Sequence, residues 1–168
     1  MPSVHLRTIT QTRSVVYVTT ELLRSFGTLV AGLGLNPDYI LHTHYDELNR
    51  GITTWLEEGT LESIYLEIWN PAEPSDFRRV DVSFYYKFEE AGDSFYSDMK
   101  SIENLSKKLT GINSSFKYQV IVKNKDGASK VDGWGTTTLR STEGLRQRVV
   151  GSSMDSPHIT GNLSYWAK

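Results

Sequence analysis

The spacing of apolar residues changes along this chain, and that change constrains the fold more than any other feature. Over residues 14–33 and 44–58, apolar residues recur every three or four positions, which predicts two amphipathic helices. Over residues 61–69 and 79–88 they alternate with polar residues, which predicts two strands with one buried face. We therefore expect an α+β fold with helices packed on one face of a small sheet.

A third helix and a third strand complete the predicted core. Residues 97–109 carry an apolar stripe at helical spacing, and residues 116–123 alternate like a strand. Because strand–helix–strand crossovers are right-handed, the third strand can lie on the far side of the first. The predicted sheet is three-stranded, antiparallel or mixed, in the order 2-1-3. Three helices cover one face, and the third strand is an exposed edge.

The residues after 127 differ in character from the predicted core. They are rich in Gly, Ser, Thr and Arg, yet contain short β-like runs at 134–140, 145–150 and 159–166. Long segments of this kind inside a compact domain usually carry function. We expect a single domain over residues 1–168, with a mobile N-terminus at 1–12, a core at 13–127 and a functional C-terminal segment at 128–168.

The composition excludes several classes of site. The chain has no cysteine, which rules out disulfides, cysteine-based zinc sites and thiol nucleophiles. Its net charge of −2 does not suit a protein that coats nucleic acid. No apolar run approaches the ~20 residues of a membrane span, and residues 1–14 lack the apolar core of a signal peptide. We expect a cytoplasmic protein with no membrane contact and no cofactor.

Two local patterns suggest chemistry, but each has a simpler interpretation. His42 and His44 have the spacing of a metal-binding pair, yet they precede a helix and no third ligand is evident. Gly32 and Gly34 follow a helix, so they indicate a helix end more than a nucleotide loop. No residues are spaced like a hydrolytic triad. We predict no catalytic residue and no metal ligand. An enzyme of unrecognised type, using Glu67 or Asp81, stays as a minor alternative.

A basic stretch offers a second alternative. Residues 136–150 contain Arg140, Arg146 and Arg148 against the single acid Glu143, which gives a net charge of +2 (three minus one). Trp134 lies just before this stretch. A solvated face or a surface for an acidic protein partner suits the charge better than a nucleic-acid contact does. The alternative function is thus a non-switching protein scaffold or a nucleic-acid-contacting adaptor.

Four stretches, taken in order, resemble the bacterial HORMA family. They are SVVYVTT at 14–20, GITTWL at 51–56 leading to IYLEIWNP at 64–71, DGWG at 132–135 with LRSTEG at 139–144, and LSYW at 163–166. Together they span nearly the whole chain. Within the family, the chain is most similar to the single-HORMA branch of CBASS anti-phage operons.

The resemblance implies a HORMA fold and a function as a peptide-gated switch. The C-terminal segment would be a safety belt that wraps a closure-motif peptide against the sheet edge. The closed form would bind and activate a cGAS/DncV-like nucleotidyltransferase. A AAA+ ATPase would engage Val4, His5, Leu6 and Arg7 and reopen the belt. Another HORMA protein is a further candidate partner.

The same resemblance, combined with the exposed third strand, assigns roles to named residues. The following are expected to contact peptide: Lys117, Tyr118, Gln119, Val120, Ile121, Val122, Trp134, Thr136, Thr138 and Arg140. Leu163, Tyr165 and Trp166 are expected to dock the end of the belt beside residues 79–88. The chain stops two residues after Trp166, so the peptide is expected from another protein.

Overall fold

The computed structural model describes residues 2–87 and 95–168. Its helices are α1 (Pro2–Gly32), α2 (Tyr45–Glu58), α3 (Met99–Glu103) and α4 (Leu105–Lys108), with a π-helical turn at Tyr39–Thr43. Its strands are β1 (Leu61–Asn70), β2 (Glu73–Tyr86), β3 (Tyr96–Ser97), β4 (Lys117–Asn124), β5 (Arg146–Asp155) and β6 (Ile159–Ala167). Within these described ranges, no helix is long and apolar enough to cross a membrane.

Helix α1 is the central helix, and it is longer than predicted. Its apolar stripe, which includes Leu22, Phe26 and Leu29, is fully buried against the sheet and the other helices. The helix begins at Pro2, so the predicted helix start at residue 14 was wrong, and the helix includes most of the segment that was expected to be a mobile N-terminus. Once a packed helix exists, each added residue gains one backbone hydrogen bond without a new nucleation cost, so even a polar segment can extend it.

The sheet has six strands in the order β3-β5-β6-β2-β1-β4, and neighbouring strands are antiparallel. The three predicted strands are β1, β2 and β4, and their predicted order 2-1-3 is confirmed. The sheet is larger than predicted because the β5–β6 hairpin and the short β3 extend it beyond β2. The β-like run at 134–140 forms no strand. Phe88, the predicted end of the second strand, lies outside the described residues.

The two faces of the sheet are buried by different means. On one face, Ile64, Leu66 and Ile68 of β1 pack into the helix-covered core. On the opposite face, which we call the back face, the carboxylates of Glu67 and Asp81 are buried, and they are bound by side chains from other strands and from the C-terminal part of the chain. The alternation of the strands predicted which side chains share a face, but not that the polar face is shielded from water.

Candidate functional site

The outer side of β4 is the exposed edge that the sequence predicts. On its inner side β4 pairs with β1, in a register that places Val122 opposite Ile64 and Tyr118 opposite Ile68. No strand in the described part of the chain pairs with its outer side. Alternate backbone N–H and C=O groups of β4 are therefore left without a ladder partner, as at any sheet edge.

An irregular segment passes this edge. It comprises residues 125–145, and we call it the belt segment. Its beginning is attached to the α2–β1 corner, where the Lys125 N–H donates to the Thr60 carbonyl at 2.8 Å. The Ser129 hydroxyl and N–H bind the Glu58 carboxylate, and these hydrogen bonds lower the pKa of that carboxyl. The belt segment thus leaves β4 on the helix side of the sheet.

Trp134 anchors the middle of the belt segment to α2. Its ring meets that of Trp55 edge-on, with 5.0 Å between centroids, and its indole N–H donates to the Glu47 carbonyl at 2.8 Å. Gly51 makes this approach possible, because a Cβ there would lie 2.3 Å from the indole nitrogen. The glycine in the predicted second helix thus serves close packing with the belt segment.

Arg140 anchors the end of the belt segment on the opposite face. Its backbone N–H and one guanidinium nitrogen donate to the Glu67 carboxylate at 2.9 and 2.8 Å. The guanidinium also lies over the Trp69 ring, 4.1 Å from the centroid. Since Glu67 is on the back face and Trp134 on the helix side, the belt segment wraps around the edge of β4. We call the Arg140–Glu67 pair the latch.

The latch compensates a fully buried charge. The Glu67 side chain has 0% of its surface exposed, and Gln119 donates a further hydrogen bond to it at 3.0 Å. Arg79 is directly opposite Glu67 in the β1–β2 register, but its guanidinium binds both oxygens of Asp81. Removing one member of such a buried pair typically costs ~3–5 kcal/mol, because the remaining charge stays out of water.

A cavity of about 530 Å³ lies between β4 and the belt segment, and we call it the belt cavity. Apolar side chains dominate its walls: Val120, Val122, Val131, Trp55 and Trp134. Asn124 also lines it, and its Oδ1 is buried with no hydrogen-bond partner in the described residues. The cavity therefore suits an apolar side chain carried on an extended backbone that also offers N–H donors.

The predicted contact residues divide between the two faces of β4. Tyr118, Val120 and Val122 pack on the helix side, whereas Gln119 and Ile121 face the back. The belt cavity is lined by Val120, Ile121, Val122, Trp134 and Thr136. Lys117 and Tyr118 line a separate pocket at the start of β4, and exposed Thr138 lines neither. The side chains of Val4, His5, Leu6 and Arg7 lie outside the described residues.

The residues expected to dock the end of the belt lie in β6. This strand pairs with β2, as expected, and Leu163 and Tyr165 are buried opposite Val82 and Val80. Trp166 is on the back face, where its indole N–H donates to Asp81 at 3.0 Å. Sequence reasoning missed Glu67 as the group that holds the end of the belt segment, and it missed Arg79 opposite Glu67 on β2. Their opposite charges in facing strands are a usable signal only once the register is known.

The weaker sequence patterns do not meet in one place. His42 pairs with Asp38 at 3.0 Å, while the His44 ring contacts the Tyr39 ring in a tilted arrangement with 4.4 Å between centroids. Among the residues that the structure describes, no three potential metal ligands cluster. Arg140 is engaged by Glu67, whereas Arg146 and Arg148 are exposed on β5. The three arginines therefore do not form one basic patch.

Comparisons with solved structures identify the fold. A chain from a crystal structure of the mitotic checkpoint complex is similar at a TM-score of 0.70 and 11% identity, over 92% of this chain and 98% of that one. C. elegans HTP-1 bound to a HIM-3 closure motif matches at 0.67 and 13%, over 94% and 91%. C. elegans HTP-2 bound to HTP-3 closure motif 1 matches at 0.67 and 14%, over 94% and 87%.

The family follows from a different comparison. At such low identities the solved structures establish the fold alone, and the comparison with curated proteins found no match. The family model described as Bacterial HORMA domain 2, however, matches residues 2–168. With a HORMA sheet, a wrapped edge strand and a family match over nearly its whole length, the chain belongs to the bacterial HORMA family.

Proposed function

We propose that this protein is a peptide-binding conformational switch, which closes its belt segment over a closure-motif peptide on the outer edge of β4. The observation that carries the proposal is the belt cavity between that edge and the belt segment. An extended peptide can complete an exposed edge through main-chain hydrogen bonds, while pockets for alternate side chains give selectivity. The closure motifs bound to HTP-1 and HTP-2, which share the fold, support the same use here.

The attachment of the belt segment explains why such a protein would be a switch. Trp134 holds the segment on the helix side and the latch holds it on the back face, so a peptide under it is enclosed. Entry or release requires both attachments to break, which makes open and closed forms two discrete states. We expect their exchange to be slow unless another protein drives it.

The resemblance to CBASS proteins supports the partners in this proposal. The closed, peptide-bound form activates a cGAS/DncV-like nucleotidyltransferase in the cytoplasm, and the protein itself catalyses no reaction. A AAA+ ATPase pulls on the N-terminus through Val4, His5, Leu6 and Arg7 and reopens the belt. The peptide comes from another protein, and a second HORMA protein is a candidate for that role.

A peptide selection followed by a cavity-filling variant tests the proposal. Twelve-residue random peptides displayed on phage are selected on the full chain, and a labelled synthetic copy of the best one is used to measure dissociation. Thr136→Trp fills the belt cavity from the belt side and should abolish binding. Thr138→Trp is the matched control, because Thr138 is exposed two residues further along and does not line the cavity.

Downstream activity is measured with the same reagents. The selected peptide should increase product formation by a cGAS/DncV-like nucleotidyltransferase mixed with this protein, and Thr136→Trp should remove that increase. Failure to select any peptide, or equal peptide dissociation from both tryptophan variants, would contradict the peptide-binding switch. Peptide binding without stimulation would contradict only the assignment to nucleotidyltransferase activation.

A further inference from the structure

A second pocket lies at the other end of the edge strand. It has a volume of about 430 Å³ and is bordered by Lys117 and Tyr118 of β4, by Trp69 of β1 and by Tyr39 of the π-helical turn. We call it the aromatic pocket. Its floor includes Leu35 and Phe116, both nearly fully buried. The belt cavity borders β4 at Val120, Ile121 and Val122, so a strand added to the outer edge of β4 would run from one site to the other.

The aromatic pocket is built from rings held in fixed positions. The Tyr118 hydroxyl donates to the Asn36 carbonyl, and burial raises the pKa of Tyr118 to about 12, so this phenol stays neutral. The Tyr39 ring meets Tyr118 edge-on, with 5.9 Å between centroids. Tyr39 nevertheless leaves 41% of its surface exposed, so part of its ring is free to contact a ligand.

The backbone that carries Tyr39 has an unusual hydrogen-bond pattern. The His44 N–H donates to the Tyr39 carbonyl at 3.0 Å, five residues back along the chain, which makes this a π-helical turn. Such turns are rare, and they are frequent at functional sites. Here the turn places an exposed aromatic ring beside the first residues of an edge strand, where a peptide backbone would pass.

The distance between the two sites sets the spacing of their ligands. Tyr118 and Val122 are four residues apart and on the same face of β4. At about 3.3 Å per residue, this corresponds to ~13 Å. A paired peptide strand has the same rise and the same two-residue alternation, so side chains four positions apart would point into the two sites. The spacing is the same whichever direction the peptide runs.

Trp69 connects the aromatic pocket to the latch. It lines the pocket, and the Arg140 guanidinium lies over its ring. A ligand side chain in the pocket would therefore contact a residue that holds the belt segment closed. Filling the pocket should slow opening of the belt as well as add contact area.

We propose that the aromatic pocket is a second anchor site for the same peptide, and that it takes an aromatic side chain four residues from an apolar side chain in the belt cavity. This inference rests on the proposed peptide-binding function and adds the sequence pattern of the ligand. Aromatic rings suit the pocket because Tyr39, Tyr118 and Trp69 offer ring faces and edges for the offset or edge-on contacts that such rings prefer.

The test uses the best displayed peptide and its variants. The selected sequences should share an aromatic residue and an apolar residue four positions apart. Replacing the aromatic residue by Ala should increase the dissociation rate from the wild-type protein about tenfold. Inserting one Gly between the two anchors should have a similar effect, because it turns one anchor to the opposite face of the strand.

Protein variants separate the pocket from a general effect on the fold. Tyr39→Ala should weaken the aromatic peptide about tenfold but leave its alanine variant unchanged, and Tyr39→Phe should bind normally. Tyr85→Ala is the matched control, because Tyr85 is an exposed tyrosine on β2, away from β4. The peptide changes do not depend on any protein variant folding.

The outcomes distinguish this inference from the function on which it rests. If no peptide is selected, both fail. If peptides bind with a single apolar anchor, no conserved spacing and no response to Tyr39→Ala, the aromatic pocket is not an anchor site while the belt cavity still is. Additive effects of Tyr39→Ala and the peptide alanine change would also overturn the inference, because contacting residues should not act independently.

Discussion

The two outer edges of the sheet both carry unpaired backbone groups, but they differ in how those groups are covered. The β4 edge has regular pairing with β1 from Ser63 to Trp69 and is covered by the belt segment. The β5 edge is paired with β3 only at Met154 and Asp155, so most of β5 has an uncovered outer side within the described residues. We infer from this difference that the β4 edge suits a ligand strand and that the β5 edge is protected against one.

Irregularity and charge protect the β5 edge. Its pairing with β6 shifts register twice, between Val149 and Gly151 and between Ser152 and Met154, and such bulges twist an edge away from new partners. Arg146 and Arg148 add exposed charge, although Val149 leaves 78% of its surface exposed. The β4 edge is regularly paired with β1 and apolar at Val120, Ile121 and Val122, and the belt segment passes over it.

The largest effect should come from the latch. Arg140→Ala leaves the fully buried Glu67 carboxylate with hydrogen bonds from Gln119 and from the backbone N–H of position 140, but without its counter-charge. We therefore expect a loss of ~3–5 kcal/mol in the free energy of unfolding or of belt opening. Urea denaturation measures the first, and the peptide dissociation rate measures the second. Adding Glu67→Gln to Arg140→Ala should recover part of the loss, since the buried charge is then gone.

The matched control for the latch lies on the other edge. Arg148→Ala removes the same kind of side chain from an exposed position on β5 and should change the unfolding free energy by less than ~0.5 kcal/mol. Equal effects of Arg140→Ala and Arg148→Ala would mean that the latch contributes no more stability than an exposed arginine on the uncovered edge. The contrast between the two edges would then be lost.

An intermediate effect should come from the packing of Trp134 on α2. Replacing glycine by alanine inside a helix normally stabilises it by ~1 kcal/mol. Gly51→Ala should instead weaken closure, because the new Cβ would lie 2.3 Å from the Trp134 indole nitrogen and displace the ring. We expect peptide to dissociate about tenfold faster from Gly51→Ala, while circular dichroism shows unchanged helix content.

A double variant checks this explanation. When Trp134→Ala has already removed the ring, Gly51→Ala should cost much less, although a contact with Trp55 remains at 2.9 Å. If Gly51→Ala has the same effect with and without Trp134, the glycine serves the helix itself and not the approach of the belt segment.

The sequence predicted the layers of this fold well because they depend on local periodicity. The alternation over residues 61–69 and 116–123 identified β1 and β4, and the right-handed crossover rule placed them side by side. The resemblance to HORMA proteins placed the last strand beside residues 79–88, and β6 does pair with β2. The positions of Trp134 and Arg140 within the belt could not be predicted, because an irregular segment has no periodicity to indicate which way each side chain faces.

The buried charges were missed for a related reason. Glu67 and Asp81 occupy polar positions of alternating strands, and such positions usually face water. Their burial depends on Arg140 and Arg79, which come from other parts of the chain and whose proximity follows only from register and from the path of the belt segment. The long helical start of α1 was missed because polar residues give no apolar stripe to detect.

The smallest effect on stability, and the sharpest test of the β5 edge, comes from removing its charges. Arg146→Thr with Arg148→Thr keeps strand-forming residues but removes two cations next to exposed Val149. We expect less than ~0.5 kcal/mol of change in unfolding free energy, unchanged peptide dissociation, and increased self-association in sedimentation at high protein concentration.

A charge-matched pair separates edge protection from net charge. Lys107→Thr with Lys108→Thr removes two exposed cations from α4, away from any sheet edge, and should leave the protein monodisperse. If both pairs aggregate equally, overall charge and not the edge is responsible. If the arginine pair abolishes binding of a protein or nucleic-acid partner, the exposed β5 edge is itself an interaction surface, and the non-switching scaffold becomes the better description. If the arginines protect the edge, the arginine pair should leave partner binding unchanged and increase self-association. The arginines would then serve only to keep other strands from pairing with β5, which no belt segment covers.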